Sequence, residues 1–223
     1  MNFGKLLVIA LFAASTVGCT ININEVVTNG IPGSGIPATE NREVAGFDEI
    51  SIVGFGDVNI LVGGEDSLTI TGDDNLLAYI ESTVENGVLT IQPSEPINPK
   101  TDMLFDITVS ELSRVELSGS ADFEIQELAG DSLDVELNGS SNLEANGAVT
   151  ALDIEINGAG KLDFQQLDAE DVVIELNGAG KGVVTATNSV DAEINGVGMV
   201  TVYGNPASVN KQINGIGRLK VVQ

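Results

Sequence analysis

Glu116, Glu136, Glu155, Glu175 and Glu193 recur along this chain at intervals of 20, 19, 20 and 18 residues. Two positions after each comes a hydroxyl or an amide: Ser118, Asn138, Asn157, Asn177 and Asn195, with Asn214 following Gln212 one interval later. Rows of these two residue types have a definite chemical repertoire. Clustered carboxylates bind calcium through their oxygens, or divide the acid and base work of cleaving a glycosidic bond. A row of primary amides hydrogen-bonds sugar hydroxyls, or bonds its own neighbours. A calcium cage needs an enclosing loop with carbonyl ligands, and a regular row lacks one. A catalytic pair should interrupt a repeat, yet these carboxylates recur in step, as do the candidate bases Lys161 and Lys181. The regularity points to a solvated acidic face, with weak cation binding as its remaining use, and away from catalysis. For the amides, the expectation is a structural ladder, bonded along the row and to nearby backbone, rather than a carbohydrate-binding surface.

Several chemistries are excluded by composition. The chain has no His and no Trp, which removes histidine triads, histidine metal sites and tryptophan sugar platforms. Gly158-Ala-Gly-Lys and Gly178-Ala-Gly-Lys lack the spacing of a phosphate-binding loop, and no helical pattern follows them. No cofactor is expected. The formal net charge is −24, which repels nucleic acid and anionic headgroups, so no nucleic-acid partner is expected. Lys211, Arg218 and Lys220 form a small C-terminal exception that reads as balancing nearby acid.

Elements that repeat at this interval stack on one another instead of enclosing a globular core. In the unit from Asp171 to Ala186, apolar residues alternate up to Asn177-Gly178, the chain turns, and a second short strand follows. That predicts an all-β fold, a right-handed parallel β-helix with rungs of about 19–20 residues. Val135, Leu137, Ile154, Ile156, Ile174, Leu176, Ile194 and Ile213 are its predicted interior. The alternative is an antiparallel sandwich with a hairpin at each Asn-Gly, which is also a strong hairpin signal; the near-constant period favours the solenoid.

Residues 44–110 are strand-rich but less regular, and residues 111–223 carry the regular repeats. Ile52-Val-Gly-Phe-Gly-Asp-Val-Asn-Ile resembles a degenerate copy of the repeat. Asp74 to Ser82 suits one short helical turn or a connection, and Asn86-Gly87 reads as a turn entering a strand. Residues 19–43, rich in Gly, Pro and Asn, read as a flexible tether. Residues 1–18 read as a leader: Lys5 precedes nine apolar residues, too few to span a bilayer. Thr16-Val17-Gly18-Cys19 resembles a bacterial lipobox, with Cys19 as the lipidated mature N-terminus. Thr20 follows it without the Asp associated with inner-membrane retention, so an outer-membrane address is expected, facing either the periplasm or the surface.

The phrase Glu-(Leu/Ile)-Asn-Gly-(Ala/Val/Ile)-Gly, together with Gly-Asp-Val-Asn-Ile and Ser-Leu-Thr-Ile-Thr-Gly-Asp-Asp-Asn-Leu-Leu, resembles the GIN-domain family, whose name describes an auto-transporter adhesin head domain. The resemblance covers about residues 46 to 221. It implies a bacterial envelope protein of stacked β-rungs, and a fold more than an activity. The expected function is a non-catalytic envelope lipoprotein with an adhesin-like binding domain for an envelope protein or polysaccharide, held to the membrane by its lipid. The alternatives are a structural envelope protein without a small-molecule ligand and, least favoured, a β-helix enzyme acting on polysaccharide.

Overall fold

The computed structural model describes residues 30–222; the leader, Cys19 and the start of the predicted tether lie outside the described residues. The fold is all-β, with 76% of the described residues in strands. Its irregular part holds β1 (Ile31–Pro32), β2 (Pro37–Arg42), β3 (Glu49–Val62), β4 (Ser67–Asp73), β5 (Ile80–Glu85), β6 (Val88–Pro93), β7 (Ile97–Asn98) and β8 (Leu104–Val109). A 3-10 turn at Leu77–Tyr79 occupies the predicted helical connection. The repeats supply β9 (Arg114–Leu176), β10 (Ala179–Ile194), β11 (Val197–Tyr203), β12 (Ser208–Ile213) and β13 (Ile216–Val221).

An extended run of 63 residues such as β9 would be about 200 Å long if straight. It returns on itself instead. The Asp134 amide donates to the Ser113 carbonyl at 2.9 Å and the Asn177 amide to the Ile156 carbonyl at 2.7 Å. Onward pairing is parallel: Glu193 lies beside Glu175, Ile194 beside both Leu176 and Ile213, and β11 lies between β10 and β13. The degenerate copy in β3 takes its place as a neighbouring level, with Ile52 beside Leu117 and Gly54 beside Gly119. Among the described residues, antiparallel pairing is confined to the irregular part: β2 with β4, β4 with β8, and β5 with β6.

Alternation then sorts the side chains. Val135, Leu137, Ile154, Ile156, Ile174, Leu176 and Ile194 are buried, and Ile213, on the last level, is partly so. Burying such a side chain contributes about 1.5–3 kcal/mol each, the main favourable term for a stack with few aromatics. The interior column that runs from Ile50 and Val115 to Ile174 and Ala192 has Lys211 at its final position, and Lys211 is exposed there.

Part of the predicted tether is structured. β2 pairs antiparallel with β4, from Pro37 beside Asp73 to Arg42 beside Leu68. A largely polar edge strand needs no apolar alternation, which is why composition pointed to a loop. What holds it lies far away in sequence. The Asp73 carboxylate, fully buried, accepts from the amides of Gly35 at 2.5 Å, Lys100 at 2.8 Å and Thr101 at 3.1 Å. Burial pushes this carboxyl up, but the three backbone donors outweigh it and hold it below the ordinary aspartate value.

Candidate functional site: the glutamate and asparagine columns

Glu and Asn stand two residues apart on one strand, so both project from the same outer face. On that face the Asn side chains bond in series. Asn157 Nδ2 donates to Asn138 Oδ1 at 3.1 Å, Asn177 to Asn157 at 3.0 Å, Asn195 to Asn177 at 2.9 Å and Asn214 to Asn195 at 2.9 Å. A second set of bonds runs within three of the levels. Asn138, Asn157 and Asn177 each donate to the glutamate two residues earlier, Glu136, Glu155 and Glu175, at 2.8 Å. A primary amide has two N–H donors. At Asn157 and Asn177 one points along the column and the other across to Glu, so both are used. Ser118 takes the equivalent position at the start of the row, beside Val53 of β3.

The Gly after each Asn is fixed by contact with the level before. Gly178 has φ of 157°, and a Cβ on it would collide with the Gly158 carbonyl; Gly158 meets Gly139 in the same way. Backbones approach too closely there for any other residue.

The glutamates are less solvated than the sequence suggested. Glu155 is exposed, but Glu116, Glu136, Glu175 and Glu193 are only partly so. Arg114, which the repeat pattern did not single out, is the cation of this face. Its guanidinium donates to Asp134 at 2.7 Å and to Glu136 at 2.5 Å. Burial lowers the guanidinium's proton affinity, but Asp134, Glu136, Glu116 and Glu49 more than compensate and raise it. Arg114 stands beside Glu49 of β3, in a column otherwise rich in acid; one cation in an acidic column is the signal that could have revealed it. One level beyond that clamp, Asp153 is pushed up from the ordinary value of 3.8, first by desolvation and then by Asp134, Glu155 and Glu175. No cluster of His, Cys, Asp and Glu among the described residues has the geometry of a metal site. Lys161 pairs with Asp163 at 3.0 Å and approaches Glu144 at 3.9 Å. Lys211, Arg218 and Lys220 make no ion pair among the described residues, against the expectation that they balance nearby acid.

Comparison with known proteins adds a family and a fold. The family model described as "Putative auto-transporter adhesin, head GIN domain" matches residues 46–206. No curated protein matches the chain. Among solved structures, a candidate adhesin from Bacteroides fragilis is 23% identical and covers 86% of this chain and 100% of its own, with a TM-score of 0.66. A candidate adhesin from Parabacteroides distasonis is 20% identical, with the same coverage and a TM-score of 0.57. Another protein of that organism, described as a candidate lipid-binding protein, is 23% identical, covers 86% of this chain and 99% of its own, and has a TM-score of 0.50. At these identities the likeness is one of fold.

Proposed function

This chain belongs to the GIN-domain adhesin-head family, and from that premise we propose that it is a non-catalytic cell-envelope protein whose repeats wind as a right-handed parallel β-helix and present an adhesin-like interaction domain. Supporting the winding are the parallel pairings, in which each level of the repeats meets the residues 17 to 20 positions away. The observation that carries the functional reading is the closed hydrogen-bond account of the two central amides. Asn157 and Asn177 direct both side-chain N–H groups into the protein and accept from the next Asn. With no donor to spare at these central levels, the column acts there as an internal clamp, so recognition of an envelope protein or polysaccharide falls to other surfaces. Catalysis would need a constellation that departs from the repeat, and the Glu and Asn columns continue level after level without one.

The anchor is the second half of the proposal. Cys19 carries the lipid and holds the domain at the envelope, by the outer-membrane reading of Thr20. Lipid chains contribute about 0.8 kcal/mol per buried CH₂, so a multiply acylated Cys holds firmly. Cys19→Ala should move the protein from the membrane fraction to the soluble fraction; a cleaved variant that stays membrane-bound would refute the anchor.

The ladder is tested on one level. Asn177→Ala removes bonds to Asn157, Asn195 and Glu175 and should cost about 1–3 kcal/mol in urea unfolding. Binding to isolated envelope polysaccharide, peptidoglycan and envelope protein should survive under conditions where the variant remains folded. Unchanged unfolding together with lost binding to any of these would make the column a recognition surface and overturn the reading.

A further inference from the structure

A different outer face of the stack carries charge of two signs, separated along its length. Its outward residues follow from the register of β3, β8, β9, β10, β11 and β13. At the early levels Asp57, Asp106, Asp122, Glu124 and Glu144 are all exposed, with no cation among them. Asn59 and Asn142 lie between these acids and donate to Asp106 at 2.8 Å and Asp122 at 2.9 Å. At the late levels the column that holds Lys161 continues through Lys181 and Met199 to Arg218, with Lys220 two residues on. These four cations are exposed, and Asp163 is the carboxylate among them. The chain has only nine basic residues and a net charge of −24, so four cations on half of one face are a strong local departure. Lys161 marks the boundary, between Glu144 and Asp163.

We propose that this two-signed face is the contact surface for a second copy of the chain, docked side by side with its levels running in the opposite direction. A face that is acidic at one end and basic at the other complements itself when rotated by 180°, which is the requirement of an isologous pair. With the boundary residue Lys161 near the two-fold axis, the rotation sets Asp57 opposite the partner's Arg218, Asn59 and the adjoining Asp106 near its Lys220, and Asp122 opposite its Met199, one level from its Arg218. A uniformly anionic partner would meet attraction at one half and repulsion at the other, whereas a second copy satisfies both halves. Met199, 37% exposed between Lys181 and Arg218, offers apolar contact in the basic half. Six level steps of about 4.8 Å give a face about 29 Å long. With strands of six or seven residues, the buried area is about 600 Å² per copy, below the roughly 800 Å² per partner of a standard interface. The pair is therefore weak and sensitive to salt.

The test uses two charge-reversed proteins and sedimentation equilibrium. One carries Lys181→Glu, Arg218→Glu and Lys220→Glu; the other carries Asp57→Lys, Asp122→Lys and Glu124→Lys. All six positions are exposed, and circular dichroism checks that each variant keeps its fold. The wild-type domain should dimerise at about 100 μM protein in roughly 0.15 M salt, where distant like charges are screened and touching pairs are not, and dissociate near 1 M salt. Each reversed protein alone should be monomeric, and an equal mixture of the two should restore a dimer, which loss of folding would not allow. A wild-type protein that stays monomeric throughout overturns the proposal, as does a dimer untouched by both reversals. Capture of heparin, used as an anionic polysaccharide probe, through the basic half without self-association would give that half to an anionic ligand instead and would equally overturn it.

Discussion

Asn86-Gly87 and Asn177-Gly178 are the same dipeptide and fold differently. At Asn86 and Gly87 φ is 54° and 87°, both positive as a tight hairpin requires, and Glu85 comes to lie beside Val88 on the antiparallel strand. Asn177 has no positive φ and Gly178 bends the chain at φ of 157°, so the chain passes on to its next parallel partner. The difference lies beneath the residue. Asn177 sits on a level already laid down: its amide bonds the Ile156 carbonyl, its side chain bonds Asn157, and Gly178 packs against Gly158. Asn86 has no such column below it, and local turn preference decides. In the irregular part of this molecule the dipeptide dictates the turn; in the repeats the preceding level does.

Glycine substitution gives the largest expected contrast. Gly178→Ala drives a Cβ into the Gly158 carbonyl, so neighbouring levels must separate; the expected cost is about 3 kcal/mol, at the upper end of local overpacking and strain. At Gly87 the nearest atom to an added Cβ is Asp48 Oδ1 at 3.2 Å, the end of a side chain. Gly87→Ala should therefore cost only about 1 kcal/mol, from the positive φ. Equal losses in chemical denaturation would break the distinction between the two regions.

Acid should affect the two regions in opposite senses. In the irregular part, Asp73 has a folded-state pKa below the ordinary 3.8. The stability it contributes is complete above that value and is lost as pH falls through the lower folded value. Asp73→Asn should thus destabilise the protein at neutral pH, by a margin that shrinks in strong acid. In the repeats, Asp153 has a pKa above 3.8, so its ionised form opposes folding and protonation relieves the penalty as pH falls through that raised value. Asp153→Asn should raise the unfolding midpoint at neutral pH and lose its advantage in acid. The gain should be smaller than the Asp73 loss, because Asp153 is reached by solvent. Unfolding curves of the three proteins from pH 7 to pH 2 check both signs, and parallel pH profiles for the two variants would contradict the assignment.

The smallest effects are expected on the glutamate column. Glu175→Gln keeps an oxygen to accept from Asn177 and removes one of a row of like charges, so stability should change by less than about 0.5 kcal/mol. Millimolar calcium against chelator, at matched ionic strength, should move the melting point by a few degrees at most; a shift of tens of degrees would reveal a cation site in the acidic face.

How much of this was legible in the sequence follows the same division. The columns could be read because a level repeats its residues: Asn138, Asn157, Asn177, Asn195 and Asn214 announce their own alignment, and the alternation around them separates Ile154 and Ile156 from Glu155. The sequence did not show that the glutamates are occupied by the amides beside them, since the pairing of Glu175 with Asn177 depends on side-chain rotamers. Arg114 was missed because it occurs once, at a position that the other levels fill with acid or a neutral residue. The strand at Pro37–Arg42 was missed because its support comes from Asp73, whose other donors are at Lys100 and Thr101; no local pattern spans such distances. Lys161, Lys181, Arg218 and Lys220 were visible one by one, but their gathering on one face required the register.

Lys211 has a consequence for growth. A stack of parallel strands ends in unpaired backbone groups and a cross-section of apolar side chains, the condition under which β-structure templates further β-structure. In this chain β12 places an ammonium at the position that Leu89, Ile50, Val115, Ile174 and Ala192 occupy at other described levels. Any strand added there must bury that charge or push it aside, so elongation is penalised at the first step. The edge of the sheet at β12 is thereby guarded against pairing with a strand from another molecule.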